Sequence, residues 1–263
     1  MVDLSTKIAS LKLNNPTILA SGIMDEDAGS MKRVFNSGAS CIVTKSIGLE
    51  PNEGYINPTF LELEHGILNA MGLPNPGIND FLCEISNLKG LKIPIIGSIY
   101  GSDYYEFVEL SKKMNDYYVD ALELNMSCPH AKGYGLEIGS DSKLVNKITS
   151  KVKESSDIPV FVKISSNLTD IVHIAKSIKK GNADGIVAVN SVKAMKINLE
   201  VKKPVLSNKI GGYSGKAIKP IAVRSFSNYV NRLIREGLIT TNRAPLRGRV
   251  RIFKLKKKME GLT

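Results

Sequence analysis

Six short apolar segments alternate with helical segments over the first 191 residues, and the strand–loop–helix unit repeats every 25 to 45 residues, roughly. Strands that are apolar throughout are typical of a parallel sheet with helices on both faces. Such a sheet either stays open and doubly wound or closes into a barrel. A Gly-x-Gly-x-x-Gly motif does not follow the first strand, which disfavours a dinucleotide-binding sheet. The predicted strands are 14–22, 41–45, 93–98, 120–125, 158–164 and 183–191, and the predicted helices are 29–37, 79–87, 102–114, 142–155 and 169–179.

Polar side chains follow five of these strands directly: Lys45, Ser98, Asn125, Lys163 and Asn190. In a parallel barrel the carboxyl ends of the strands face one mouth, where active sites lie. A lysine beside a buried strand needs an anion to offset lost hydration, and asparagine amides can bind planar imides. Taken singly, each residue is also typical of an exposed loop or a turn. Together they predict a site for a small planar heterocycle with an anionic ligand or an electron-rich cofactor.

The three cysteines are odd in number and lack metal-ligand spacing, which indicates a reducing cytosol and no metal site. Cys41 lies in a predicted strand and Cys83 in a predicted helix, as is typical of buried structural thiols. Cys128 differs because it follows a strand end and precedes Pro129 in a glycine-containing loop. A thiol there can transfer a proton when its surroundings tune its acidity. Cys128 is therefore the candidate catalytic residue.

Six motifs stand in a fixed order along residues 1 to about 224. They are Thr-Lys-Ser at 44–46, Asn-Ala-Met-Gly-Leu-Pro-Asn-Pro-Gly at 69–77, Asn-Met-Ser-Cys-Pro at 125–129, Val-Lys at 162–163, Val-Asn-Ser at 189–191 and Gly-Gly-Tyr-Ser-Gly at 211–215. Together they resemble the soluble, class 1 dihydroorotate dehydrogenases. The resemblance implies a (β/α)8 TIM-barrel-like α/β fold, of which about six β/α units are recognisable here. It also implies FMN-dependent oxidation of dihydroorotate to orotate in de novo pyrimidine biosynthesis.

The resemblance assigns roles to individual residues. Cys128 matches the base that takes the proton from substrate C5, while hydride from C6 goes to flavin N5. Lys163 would favour negative charge on the reduced isoalloxazine. The positions that match cofactor contacts are Ala20, Ser21, Gly22, Lys45, Ser46, Asn125, Lys163, Val189 and Gly215. The positions that match substrate contacts are Lys45, Asn69, Met71, Gly72, Leu73, Asn125, Asn190 and Ser191.

The resemblance also bears on location and partners. The membrane-associated class has serine at the base position and an apolar N-terminal extension, whereas this chain has Cys128 and begins Met-Val-Asp-Leu-Ser-Thr-Lys. We therefore expect a cytoplasmic protein without a membrane span. One soluble subclass is a homodimer that uses fumarate, and another forms a heterotetramer with an FAD and iron-sulfur subunit that passes electrons to NAD. The loop context around Asn69 slightly favours the second.

The chain departs from the family at two places. His130 stands where the family has asparagine, so the paired donor and acceptor of an amide are lost there. After residue 224, neither of the two glycine-rich turns that hold the FMN phosphate is found. Residues 225–263 instead carry ten Lys or Arg and two Glu, a charge of +8, while residues 1–224 carry 26 basic and 23 acidic residues, or +3. We predict a barrel domain at 1–224 and a basic helix–strand tail at 225–263.

Three interpretations of this tail stay open. It can cap an incomplete barrel, whose two free edges would otherwise be exposed. It can be a winged-helix-like basic module that contacts nucleic acid. It can also lack a functional history, as after a frame change or fusion. The corresponding alternatives for the whole chain are a degenerate, non-catalytic barrel with a nucleic-acid-binding tail, or a related flavin-dependent pyrimidine reductase.

Overall fold

The computed structural model describes residues 3–128, 134–168, 170–235 and 251–252. Its strands are β1 (Thr6–Ile8), β2 (Leu11–Leu13), β3 (Ile18–Leu19), β4 (Cys41–Val43), β5 (Phe60–Leu63), β6 (Gly66–Asn69), β7 (Ile95–Ile99), β8 (Ala121–Asn125), β9 (Val160–Ile164), β10 (Gly185–Ala188), β11 (Val192–Ala194), β12 (Ile197–Asn198), β13 (Lys203–Pro204), β14 (Gly211–Ser214) and β15 (Arg251–Ile252). Its helices are α1 (Ala28–Asn36), α2 (Ile78–Asn87), α3 (Tyr104–Asp116), α4 (Leu136–Ser140), α5 (Ser142–Glu154), α6 (Ile171–Lys180) and α7 (Lys219–Arg235), with a 3-10 turn at Lys216–Ile218.

The core of the molecule is a parallel sheet made of the six predicted strands. Strands β3, β4, β7, β8, β9 and β10 lie side by side in chain order, and each neighbouring pair runs parallel. Strands β7, β8 and β9 are buried at every position, because helices and other chain segments cover both faces of the sheet. The six predicted β/α units are therefore confirmed.

The helices begin where aspartate side chains cap them. Asp27, Asp103, Asp141 and Asp170 accept backbone N–H groups in the first turns of α1, α3, α5 and α6. The apolar faces of these helices then pack on the sheet. The predicted helix bounds differ from the observed ones by at most two residues. The helix predicted at 102–114, for example, is capped by Asp103 and spans Tyr104–Asp116.

The long segment between β4 and α2 contains regular structure although it is rich in glycine and proline. Within it β5 and β6 form a hairpin, and β14 and β11 extend that hairpin into a four-stranded antiparallel sheet. A small separate core of Leu68, Ala70 and Leu206 stabilises this sheet. Its strands come from the connections that follow β4 and β10, so the sheet lies on the side of the carboxyl ends of the barrel strands.

Of the two cysteines predicted to be structural, only Cys41 is buried. Burial raises the pKa of the Cys41 thiol to about 12, so this thiol is inert as a base. The prediction for Cys83 is wrong, because Cys83 is exposed. Helix α2 buries Phe81, Leu82 and Ile85 on one face and turns position 83 to the other.

The described part of the chain after residue 218 contains one helix and one short strand. Helix α7 begins at Lys219, continues through residue 224 and is described to Arg235. The helical spacing of apolar residues in the tail predicts a stripe that extends to Leu238, which lies outside the described residues. Strand β15 pairs antiparallel with β10, with Val187 opposite Ile252 and Ala188 opposite Arg251. The alternation of charged and apolar residues predicts a strand at 249–255, of which only residues 251 and 252 are described. The division of the chain at residue 224 stays a prediction.

Candidate functional site

The predicted strand-end residues meet at one end of the parallel sheet, where Ser46 is the central contact. Its Oγ lies 2.8 Å from Ser98 Oγ and 3.1 Å from Ser21 Oγ, and it accepts a 2.8 Å hydrogen bond from Asn125 Nδ2. These contacts join the carboxyl ends of β3, β4, β7 and β8. Three predicted side chains from three other strand ends thus converge on the Ser46 hydroxyl.

Ser127 extends the network to the end of β10. Its Oγ donates to Asn125 Oδ1 at 2.9 Å and accepts from Asn190 Nδ2 at 2.8 Å. Asn190 Oδ1 in turn accepts the backbone N–H of Ser191 at 2.7 Å. Within the described residues these bonds orient both amides and use one of the two N–H donors of each, so the second donor of each amide can bind a planar ligand.

Lys163 and Glu123 form a buried ion pair in the wall of a cavity. Lys163 Nζ lies 3.5 Å from Glu123 Oε1, and their side chains are 9% and 2% exposed. Ser98 Oγ donates to the same carboxylate oxygen at 3.3 Å, which connects the pair to the network around Ser46. The other residues that line the cavity are Pro16, Thr17, Ile18, Ala20, Val43, Ile96, Val187 and Val189. A mostly apolar cavity with one buried cation suits a flat, electron-rich ring.

Lys45 is the second buried cation of the site. Its Nζ lies 2.9 Å from Glu26 Oε1, and its side chain is 9% exposed whereas that of Glu26 is 65% exposed. Its backbone N–H donates to the carbonyl oxygen of Asp25. Since the Glu26 carboxylate is mostly in solvent, it can leave Lys45 for water when an anionic ligand arrives.

Cys128 is buried three residues beyond the end of β8. Its carbonyl oxygen accepts the N–H of Leu136 at 2.9 Å. Gly135 has a φ of +56°, and a Cβ there would lie 2.6 Å from Cys128 Cβ, so only glycine leaves room for the cysteine. Pro129 and His130 lie outside the described residues, so the departure at His130 stays a sequence observation.

Tyr55 is a site residue that the sequence did not reveal. Burial raises its pKa, and a thiolate at Cys128 would raise it further, because the two side chains are neighbours. The Tyr55 N–H donates to the Met71 carbonyl at 2.9 Å, which fixes the loop after β6. A Cβ at Gly72, where φ is +81°, would lie 2.8 Å from Tyr55 N. The sequence feature that could have indicated a role for Tyr55 is its position in the long segment after the second predicted strand.

The remaining predicted residues lie around this centre. Asn69 Nδ2 donates to the Gly212 carbonyl at 3.5 Å, and Leu73 follows Gly72 with a φ of +60°. Gly22 N–H donates to Asp25. Gly215 follows β14 and lies beside Gly66, and no hydrogen bond in the described part of the chain connects it to the network around Ser46. Hydrogen bonds thus join Ser21, Ser46 and Asn125, and through Ser127 also Asn190, and Ala20, Lys163 and Val189 line the adjacent cavity. Asn69 and Gly215 instead contact residues of the antiparallel sheet.

Two negative findings concern the described residues alone. Their helices include none that is long and apolar enough to cross a membrane. They also contain no group of three His, Cys, Asp or Glu side chains arranged to hold a metal ion.

Comparison with known proteins gives consistent matches. A family model of dihydroorotate dehydrogenase matches residues 3–241. Dihydroorotate dehydrogenase B (NAD(+)), catalytic subunit, from Thermoplasma acidophilum is 50% identical over 224 residues, which are 85% of this chain and 74% of that protein. The protein of the same name from Methanocaldococcus jannaschii is 49% identical over 225 residues, 84% of this chain and 73% of that protein.

A solved structure of DHODH from Eimeria tenella, in complex with ferulenol, superposes with a TM-score of 0.73. The match covers 87% of this chain and 70% of that chain at 20% sequence identity. At this identity the likeness concerns the fold alone, and it confirms the TIM-barrel-like α/β class.

Proposed function

The chain belongs to the dihydroorotate dehydrogenase family, and from this premise we propose that it oxidises dihydroorotate to orotate in pyrimidine biosynthesis, with FMN as its flavin. The observation that carries the proposal is the network in which Ser46 and Ser127 orient Asn125 and Asn190 beside the buried Lys163. Two fixed amides and a buried cation match an imide-containing substrate and an electron-rich cofactor.

The residues present fit a flavin ring. Ala20, Val43 and Val189 give the cavity apolar walls, and Lys163 gives it a cation. A bound flavin supplies the acceptor for the hydride that leaves substrate C6. Lys163 would then stabilise negative charge on the reduced ring. Small residues at 20–22 allow the backbone to approach the ring closely. We assign no residue to the FMN phosphate.

The substrate side follows from the same network. We assign Asn125 and Asn190 to the ring carbonyl groups, because each holds one N–H donor in reserve. Lys45 would bind the substrate carboxylate by exchanging its exposed partner Glu26 for it. Cys128 would take the proton from C5 in a pocket shielded from bulk water. Asn69, Met71, Gly72, Leu73 and Ser191 are proposed to complete the substrate contacts.

The electrons then need an acceptor outside this chain. The names of the relatives describe a catalytic subunit of an NAD(+)-dependent enzyme, which supports a partner subunit. We propose that the partner carries FAD and an iron-sulfur cluster and passes electrons to NAD within a heterotetramer. A homodimer that uses fumarate is the alternative. Fumarate should support turnover of the purified chain alone only in the homodimer case, whereas NAD should support turnover only when the partner subunit is added.

Flavin content and substrate bleaching test the proposal. The purified chain, supplied with FMN, should show the visible flavin bands, and dihydroorotate should bleach them under anaerobic conditions. Dihydrouracil and dihydrothymine should not, whereas bleaching by either would indicate a related pyrimidine reductase. A chain that takes up no FMN would contradict the proposal and favour a non-catalytic barrel.

Cys128→Ala tests the proposed base. We expect the rate of dihydroorotate oxidation to fall at least 100-fold, roughly the contribution of a general base, while flavin stays bound. Cys83→Ser is the matched control, because Cys83 is an exposed thiol on α2 and its loss should leave the rate unchanged. Turnover of Cys128→Ala near the rate of the unmutated chain would show that another group is the base.

A further inference from the structure

Asp25 is a fully buried carboxylate beside the turn that leads from β3 into the site. Its Oδ2 accepts the N–H of Gly22 at 2.6 Å, and its carbonyl oxygen accepts the N–H of Lys45 at 3.3 Å. Within the described residues, its Oδ1 has no hydrogen-bond partner. Asp25 therefore connects the turn at 20–22 to the end of β4 while it leaves one buried oxygen unsatisfied.

Burial of this ionised carboxylate lowers the stability of the folded chain. Burial raises the pKa of Asp25 to about 6, although the Gly22 N–H and the Lys45 charge both act to lower it, and the neighbouring Glu26 charge raises it. Near neutral pH the group is thus ionised against the preference of its surroundings. An asparagine could accept the same N–H without a buried charge, so the requirements of the fold alone would favour a neutral side chain.

The charge is not needed to hold Lys45 in place. The Lys45 ammonium group already pairs with Glu26 at 2.9 Å. The other role of Asp25 is the turn itself, where Gly22 has a φ of +105° and Ser21 reaches Ser46. Ala20, at the start of this turn, lines the cavity beside Lys163. Strained turns and buried unsatisfied charges are typical of binding sites rather than of cores.

We propose that Asp25 is a positioning residue that holds the turn at residues 20–22 against the flavin ring. The inference rests on the function proposed above and adds a residue that the family resemblance did not include. The hydrogen bond from Gly22 to a carboxylate is charge-assisted, so it fixes the turn more firmly than a neutral acceptor would. The buried charge lowers the stability of the fold, and in return it keeps the turn at residues 20–22 rigid.

The test compares Asp25→Asn with Asp27→Asn in the full-length chain. Asp27 caps α1 two residues away by accepting the Ser30 N–H, and asparagine caps helices equally well. FMN affinity is measured by quenching of flavin fluorescence, and Tm is measured without flavin at pH 7.5. For Asp25→Asn we expect Kd to rise roughly tenfold, the effect of losing one charge-assisted hydrogen bond, with Tm equal or higher. For Asp27→Asn we expect neither value to change.

Each other outcome overturns the assignment. An unchanged Kd in Asp25→Asn would show that the turn does not depend on the carboxylate. A raised Kd together with a Tm several degrees lower would show that Asp25 merely supports the fold. If the unmutated chain itself fails to bind FMN, the proposed function is wrong as well. The measurement on the unmutated chain therefore distinguishes a wrong function from a wrong role for Asp25.

Discussion

The ammonium group of Lys163 lies 3.5 Å from Glu123 Oε1 in the interior of the sheet, and both side chains are almost completely withdrawn from solvent. The two residues sit on the adjacent parallel strands β8 and β9. Moving either charge out of water is costly, and the attraction between them offsets that cost only while both are present. The pair thus places a cation in the wall of the cavity without leaving a net charge in the core.

A double-mutant cycle tests this compensation. Glu123→Gln alone and Lys163→Met alone should each lower the free energy of unfolding by about 3 kcal/mol, because each leaves an uncompensated buried charge. The double variant should lose clearly less than the sum, by at least about 1 kcal/mol. Urea unfolding without flavin gives all four values. The exposed pair Lys113–Glu109, also 3.5 Å apart, is the control and should couple by less than about 0.5 kcal/mol. Additive losses at Glu123 and Lys163 would contradict the compensation.

Ser127→Ala should weaken substrate binding more than it slows the chemical step. Ser127 Oγ is the only atom in the described network that contacts both Asn125 and Asn190, so its loss removes one hydrogen bond from each amide and loosens both. We expect the KM for dihydroorotate to rise about tenfold, with a smaller change in kcat, in steady-state kinetics. Ser86→Ala is the control, since Ser86 is an exposed residue of α2 whose Oγ donates to the Leu82 carbonyl, away from the network around Ser46. An unchanged KM would mean that the amides keep their orientation without Ser127.

The free energy of unfolding of the chain without flavin should depend on the protonation of Asp25 between pH 4 and pH 7. The pKa of Asp25 is about 6 in the folded chain and near 3.8 when the group is exposed on unfolding. In this range the folded chain holds more protons than the unfolded chain, so stability falls as pH rises. The stabilisation is complete below about pH 3.8 and is lost as pH passes 6, a difference of roughly 3 kcal/mol.

Asp25→Asn removes this contribution. The difference in the free energy of unfolding between this variant and the unmutated chain should therefore move in favour of the variant as pH rises from 4.5 to 7.5. Urea unfolding at several pH values measures it, and Asp27→Asn is again the control. A difference that stays constant across this range would show that Asp25 titrates normally.

The parts of the molecule that the sequence could predict are those that depend on local pattern. The six barrel strands and the burial of Cys41 follow from short apolar runs, and Ser46 and Asn125 converge because parallel strands end on one side of a sheet. The antiparallel sheet was missed because its pairing is distant, as between Asn69 and Gly212, which are 143 residues apart. Asp25 could not be predicted because it stands in the acidic run Asp25-Glu26-Asp27, and such runs are typical of solvent-exposed loops.

Deleting residues 225–263 should destabilise the chain, because the tail covers part of the barrel. Strand β15 pairs with the edge of β10, α7 packs on α6, and Phe226 packs against the main core. We expect Tm to fall by roughly 5–10 °C, and the exposed edge and apolar surface should increase aggregation and dye binding. Thermal melting and light scattering measure both effects.

Deleting only residues 253–263 is the matched control for charge. It removes four lysines and one glutamate, and with them +3 of the +8 in the tail, but it keeps α7 and β15. If the tail acts through covering the barrel edge, this shorter deletion should leave Tm unchanged while the longer one lowers it. Equal melting of the intact chain and of the chain without 225–263 would contradict the capping role. Nucleic-acid binding would then be the remaining explanation of the basic residues. Binding of the chain to a short duplex DNA or RNA at low salt would test it.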